Sequence, residues 1–587
     1  MTNIFINNKP AILPEDLSVT LRFENPYFTR TSNYSLDVEL PMPANYSIFG
    51  HINRLDVRKQ KIILPAKVII DGKVLLDGSA VLVGMYDRSV KIQLVSGNAE
   101  FNILTNTNVY IDELNLGEIV PPQAPQNGYP FSNDKKKEIY GSVDKVQSVW
   151  LPVMYDTNKW YNEIVYIFGY DTFDPRPYYR GCCVQPYLLV VIKKIIEYFG
   201  YNVGDNYIDQ TWMRNLYIVS AVQTNQISKA LPHWTVSEFF NEIEKFCGVI
   251  TVVDEINKTV SLVDVNTYYS FSGYAYIENV LNEFETEVED KSESKDVTIG
   301  NVGYQLPSGT DDGYWRMDRD LIEAAVKTEF DTYDQLLAYY NALSDENKKY
   351  ALLICGNRYY MNFKDGNTNS LKEINLYANL IRDVDKDDLD AELKIMPAKI
   401  IKQDVGLYNY TADYLLGTKF WPLVLNMAVA SYSTDLAKTE KINIQDVIEG
   451  NQQLEKDRNK KEIMELAIYT GDLHPVEVNY KNQLATFHYP FPYTDYKQIV
   501  PGQKDTLQNY SLSLNDFTGS IGNRIRSLQK INSNLPYTMQ FERRWIPKLN
   551  QVFVINNKKY VAQKIEATLT AKELNPILEG TFYRIED

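Results

Sequence analysis

Four histidines, His51, His233, His474 and His488, are the side chains best suited to metal ligation or general-base work. No two of them stand at the HExxH interval that sets a pair of imidazoles on one helix face, and no cysteine lies within a few residues of any, so no zinc site is expected. Asp383, Asp385 and Asp387 imitate the first three odd positions of a calcium loop. Such a loop then needs Gly at its sixth position and a bidentate Glu at its twelfth, where this chain has Asp388 and Lys394. The triplet therefore reads as a solvated turn. Gly519-Ser520-Ile521-Gly522 lacks the lysine of a phosphate-binding loop, and neither GxxxxGK[ST] nor a strand-bounded GxGxxG occurs, which disfavours a nucleotide enzyme.

Nucleophile elbows of the GxSxG type are also absent. Cleavage of a glycan needs only two carboxylates about 5–10 Å apart. The acidic, aromatic stretch from Tyr155 to Tyr179 is where such chemistry would sit, with Asp156, Asp171 and Asp174 among rings able to stack on sugars. Its plainer reading is an interface loop. No catalytic, cofactor-binding or metal-ligating residue is assigned, no cofactor is expected, and the chain is read as a non-enzyme.

Composition narrows the class further. At 587 residues the chain calls for about four domains. Hydrophobic residues at 44% and charged residues at 23% fit folded globular domains. A net charge of −16 has the wrong sign for neutralising phosphates, and Lys135-Lys136-Lys137 and Lys460-Lys461 are too short to reverse it, so sequence-specific nucleic-acid binding is not expected. The 44 tyrosines against 23 phenylalanines suit subunit contacts, and equally suit strands. Four cysteines, including the adjacent Cys182-Cys183, give no disulfide framework and point to a reducing compartment. The opening residues carry no signal-peptide pattern, and the longest apolar run, Tyr187 to Ile192, is too short to span a bilayer. A soluble product made in the cytosol is expected.

The elements that would position any site are mostly strands. Val90, Ile92 and Leu94 alternate with Lys91 and Gln93, the pattern of a half-buried antiparallel strand. Just before them, Asp71-Gly72 and Asp77-Gly78 punctuate apolar runs as two tight turns would, giving an N-terminal β-barrel over residues 1–105. Residues 106–180 read as a linker and irregular insertion. Residues 181–270 form a helix-plus-hairpin module. Its first helix aligns Leu188, Leu189, Ile192, Ile195, Ile196 and Phe199 after Pro186 and ends at Gly200. Its second begins with a capping box of Thr235 and Glu238, with Trp234 stapled onto Phe239, and stops at Gly248 before a hairpin. A mixed α/β middle domain follows at 271–430, with a strand-like Asp296–Gly300 and a helix around Tyr333–Leu343. A charged helical insertion covers 431–475. A C-terminal β-domain at 476–587 turns at Asn556-Asn557 and closes on Gly580–Ile585. The expected class is α+β and mainly β: multidomain, with small antiparallel β-barrels and helix-hairpin modules.

These stretches carry a resemblance. Leu21-Arg-Phe-Glu-Asn-Pro-Tyr-Phe28, Tyr34-Ser-Leu-Asp-Val-Glu-Leu-Pro41 and Ile48-Phe-Gly-His-Ile-Asn-Arg-Leu55 are similar to the opening of tail hub or baseplate hub proteins of tailed phages, especially those infecting Bacteroidales, crAss-like phages included. The run from Val68 to Gly78 leading into Val90–Leu94 resembles the first tube-type barrel of hubs, and Leu231 to Gly248 resembles their helix-plus-hairpin module. The resemblance implies a virion tail protein assembled in the host bacterial cytoplasm. It implies a homo-oligomeric ring, trimeric by preference and sixfold or twelvefold as alternatives, in contact with other tail and baseplate proteins. An acidic lumen would let DNA slide without sticking. The competing readings are a tail-associated carbohydrate-cleaving enzyme and a bacterial surface glycan-binding protein, the latter weakened by the missing signal peptide.

Overall fold

A computed structural model describes residues 2–28, 34–52, 54, 63–105, 109–121, 139–155, 159–162, 164–168, 174–177, 182–254, 256–269, 273–281, 302–305, 326–348, 351–355, 358–365, 368–374, 391–403, 406–409, 414–416, 421–426, 463–480, 483–495, 509–514, 518–526 and 535–585. The fold is mainly β and multidomain, as the strand and turn signals suggest.

Alternation builds the N-terminal strands. Val19, Leu21 and Phe23 of Ser18–Glu24 point inward, as do Val90, Ile92 and Leu94 of Ser89–Ser96. Ile63–Ile70 and Lys73–Met85 join through Asp71 (φ 48°) and Gly72 (φ 78°), the left-handed pair that a two-residue hairpin demands. The second Asp-Gly pair is not a turn. Asp77 and Gly78 lie inside the 13-residue Lys73–Met85 strand, where Asp77 pairs with Lys67 at 2.7 Å. A Cβ on Gly78 would come within 2.1 Å of the Val95 carbonyl oxygen, so this glycine permits close strand approach rather than chain reversal. The first strand, Thr2–Ile6, turns at Asn7 and Asn8.

The two ends of the chain share one sheet. Ser18–Glu24 runs antiparallel to Lys558–Thr570 over its whole length, from Ser18 opposite Thr570 to Glu24 opposite Lys564. Lys558–Thr570 also pairs with Val552–Ile555 and Leu574–Arg584, and the latter with Tyr537–Glu542. Tyr274–Ile277 adds a parallel edge beside Val552–Ile555, and 13 strands join in all. Their inward side chains, from Ile4, Val68 and Ile92 to Phe541, Ile565 and Phe582, pool in one core. The expected small barrels are not closed among the described residues. The C-terminal strands cover the apolar face of the N-terminal ones, so that face need not wrap onto itself. Curling nonetheless approaches closure twice: Thr2 Oγ1 donates to the Thr570 carbonyl at 2.7 Å, and an isolated bridge joins Val280 to Phe541.

Two helices and a hairpin form within residues 181–270. Helix Leu188–Tyr198 buries Leu188, Leu189, Ile192, Ile195 and Ile196, with Gly200 at φ 81° just beyond it. Helix Val236–Cys247 starts where the Glu238 N–H donates to Thr235 Oγ1 at 3.2 Å and ends at Gly248 in the left-handed region. In place of a reciprocal capping bond, the Glu238 carboxylate takes the Lys394 ammonium. Val249–Asp254 and Thr259–Asp264 form the hairpin, and Asn202–Asn206 lies parallel beside it. Ile395, Leu466, Ile468 and Leu512 pack into the same core, so distant segments cover these helices.

Pairings remote in sequence fill the rest. Val326–Phe330, helix Tyr333–Ala342 and the parallel strand Ala351–Cys355 make a strand–helix–strand unit. Parts of the stretch read as linker are strands: Val153–Tyr155 pairs in parallel with Trp421–Leu425, and Ile164–Phe168 with Gly406–Asn409. Asp296–Gly300 and residues 427–462 lie outside the described residues, and Met464–Ile468 beyond them is a buried strand. Among the described residues, no helix is long and apolar enough to cross a membrane.

Candidate interaction surface

Among the described residues, the side chains singled out for chemistry do not converge. Among the described residues, no three His, Cys, Asp or Glu side chains are grouped to hold a metal ion. His51 is exposed, its ring 4.9 Å from that of Tyr46. His233 stacks on Tyr110 at 3.9 Å and sets Nδ1 3.0 Å from both Asp112 carboxylate oxygens. The Ile111 N–H donates to the Trp234 carbonyl and the Val236 N–H to that of Val109, so this histidine fastens residues 109–112 onto the start of a helix. His474 lies opposite Tyr489 and His488 opposite Pro475 in one hairpin, so the two are not cross-strand partners. Asp383, Asp385, Asp387, Asp156 and Asp171 lie outside the described residues, and Asp174 opens the short strand Asp174–Pro177. Gly519, at φ +91°, makes a tight packed turn: a Cβ there would meet the Asn509 carbonyl oxygen at 2.1 Å.

All four cysteines are free thiols. Burial pushes the Cys247 thiol up to about 12 against an opposing pull from Arg524, and burial likewise raises Cys183 and Cys182. Thiols held protonated are poor nucleophiles.

What the polar side chains do instead is hold segments together. Asn25, fully buried, donates through Nδ2 to the Leu549 and Ala562 carbonyls and to the Tyr269 hydroxyl, while its Oδ1 accepts from the Tyr27 N–H and the Tyr268 hydroxyl. One amide thus joins the N-terminal strand, the turn after the hairpin and the C-terminal sheet. Asn98 plays the part of a strand neighbour to Val249–Asp254, accepting from the Val253 N–H at 2.9 Å and donating to the Thr251 carbonyl at 2.6 Å. Arg524 caps the end of helix Val236–Cys247 through the Cys247 and Gly248 carbonyls and pairs with Asp264. Apart from the local bond from the Tyr27 N–H to Asn25, these partners are remote in the chain, so the roles carry little sequence signal beyond the residue type.

Tyrosine content divides between core and surface. Tyr140, Tyr187, Tyr217, Tyr304, Tyr469, Tyr489 and Tyr583 are among the largest fully buried side chains, and burial raises the hydroxyls of Tyr187, Tyr217, Tyr304, Tyr469 and Tyr489 well above their ordinary range. Tyr274 and Tyr276, by contrast, are 55% and 61% exposed on the sheet's last strand, and their rings lie 6.4 Å apart. Near them a cleft of about 410 Å³ opens between the ends of three strands and the loop 545–550. Phe23, Leu75, Val253 and Tyr268 line it, Trp545 forms one wall, and Ile256, 72% exposed, stands at its mouth.

No protein-family profile matches the chain. No curated protein matches it either. Among solved structures it is similar to the 43 kDa tail protein of prophage MuSo2 from Shewanella oneidensis, at 6% identity and a TM-score of 0.30 over 99% of this chain and 97% of that one. It is similar also to a tail protein from Neisseria meningitidis, at 6% identity and a TM-score of 0.28 over 99% and 96% of the two chains.

Proposed function

We propose that this chain is a structural, non-catalytic component of a phage tail, placed in the hub or baseplate at the tail end. Copies assemble around an axis as a ring, a trimer by preference with sixfold or twelvefold rings as alternatives, and contact neighbouring tail and baseplate proteins. The phage is one of a Bacteroidales host, and the particle is built in the bacterial cytoplasm. The observation that supports this reading most is the 13-stranded sheet, in which strands from both ends of the chain curl around one core. A curled sheet with little open edge makes a wall that identical copies extend around an axis. Residues 21–24 and most of the stretch Val68–Gly78, two of the segments that carry the hub resemblance, are strands of that sheet, which supports the reading. The helix-plus-hairpin module packs against it through Tyr27, Phe28, Ile250 and Tyr583.

Negative-stain imaging of the purified full chain tests the reading. Closed rings of one symmetry are expected. Single particles of one chain's mass at every concentration would count against assembly. The charge of −16 gives a second handle: an acidic lumen is expected in the averaged ring, and a basic one would overturn the idea that DNA slides past without sticking.

A further inference from the structure

The core that holds helices Leu188–Tyr198 and Val236–Cys247 has a point where the chain leaves it and later returns beside its own exit. Val302–Tyr304 runs parallel to Ala391–Leu393, with Tyr304 opposite Leu393, and the Gln305 N–H donates to the Leu393 carbonyl at 2.8 Å. Exit and re-entry are therefore neighbouring strands, and both are anchored. Tyr304, buried in that core, donates its hydroxyl to the Leu512 carbonyl at 2.6 Å. On the return side the Lys394 N–H donates to Glu242 Oε2 at 3.0 Å and the Lys394 ammonium pairs with Glu238. Ile395 then opens a strand that lies beside Met464–Ile468 in the same core. Ends that lie together and are separately fixed are what an inserted domain asks of its host, because the host keeps its own packing whatever the insert does.

Between those ends the chain builds a unit with a core of its own. Val326–Phe330, Ala351–Cys355, Arg358–Asp365 and Thr368–Ile374 make a four-stranded sheet in that order. Helix Tyr333–Ala342, capped at Thr332, crosses from the first strand to the second. Leu336 and Tyr340 of the helix meet Leu353, Cys355 and Tyr360 of the sheet in a cluster separate from that of the host. Polar side chains join the same elements in a row. The Tyr340 hydroxyl donates to Asn362 Oδ1 at 2.7 Å, Asn362 Nδ2 to Asn369 Oδ1 at 3.1 Å, and Asn369 Nδ2 to Asp345 Oδ1 at 2.9 Å. The Lys348 ammonium lies 5.0 Å from the centre of the Tyr340 ring and 3.6 Å from the Asp345 carboxylate. These apolar and polar contacts all fall within residues 326–374, so the unit carries the means of its own cooperative opening.

We propose that the unit at residues 326–374 is an inserted domain that opens and closes by itself while the helix-bearing core stays folded. This part of the chain can then rearrange without loosening the body that carries it, whether or not copies form a ring. Native-state hydrogen exchange of the full chain across a denaturant series, on the natural protein and on Leu336→Asp, tests the proposal. The substitution places a carboxylate in the unit's core, and exchange within Ala351–Cys355 and Arg358–Asp365 is expected to quicken at least about tenfold. Ile395–Pro397 and Met464–Ile468 of the host should keep their rates within about twofold, as independent sites do. Host strands that quicken by the same factor as the unit would overturn the proposal. So would unchanged exchange in the unit, or one opening transition shared by unit and host in both proteins.

Discussion

Asn25 shows how much one buried amide can hold. One of its hydrogen bonds is to the nearby Tyr27 N–H, and the others reach Tyr268, Tyr269, Leu549 and Ala562, hundreds of residues away. Asn25→Ala leaves buried carbonyls and an N–H unpaired, each costing about 1–3 kcal/mol, and is expected to lower stability by about 3 kcal/mol or more. The midpoint of denaturant unfolding reads this, and a change under 1 kcal/mol would mean that the network carries little. At Cys247, burial raises the thiol from 9.0 to about 12, so folding favours the protonated form. Its contribution is complete below the unfolded value and is lost as pH rises through the folded one. At pH 8, native Cys247 and Cys183 are expected to resist a thiol reagent until denaturant is added, whereas the half-exposed Cys182 reacts first. Rapid labelling of all four thiols in native protein would contradict these placements. Nothing near Asn25 in sequence announces its role, and the same holds for Asn98 and Arg524.

At the scale of elements, local chemistry was legible and remote pairing was not. The cap at Thr235, the stop at Gly248 and the turns at Asp71-Gly72 and Asn556-Asn557 all fall where residue type alone puts them, because each is settled within four residues of chain. The two Asp-Gly pairs mark the limit. They are identical as dipeptides, yet one reverses the chain and the other runs straight through a strand, a choice made by Val95 and Ser96 on the neighbouring strand. Gly72→Ala, strained only by its positive φ, is expected to cost about 1–2 kcal/mol. Gly78→Ala must push a backbone carbonyl aside and is expected to cost more, with loss of the Lys73–Met85 and Ser89–Ser96 register. Thermal unfolding of the two variants side by side checks the ranking, and equal losses would refute it. Thr235→Ala is expected to cost about 1 kcal/mol by the same measurement. The parallel pairings of Val153–Tyr155 with Trp421–Leu425 and of Ile164–Phe168 with Gly406–Asn409 cross more than two hundred residues, and no period or turn residue signals them.

For the whole molecule, the shared sheet is the feature with the widest consequences. The mainly β class followed from alternation and turn residues, but the meeting of the two chain ends did not, since an antiparallel partner leaves no mark on the strand it will join. Leu21 faces Ala567 and Phe23 faces Ile565 inside one core, so these strands should open together. Hydrogen exchange on the full chain is expected to give Ser18–Glu24 and Lys558–Thr570 the same protection, and Ile565→Asp should expose both. Protection retained at Ser18–Glu24 in that variant would separate the ends into independent units. The proposed placement at the tail end is tested most directly by imaging phage particles labelled through a C-terminal tag on this chain. Label confined to the tip of the tail, in a fixed number per particle, is the result expected. Particles without label, or label on the head, would contradict a structural role in the tail.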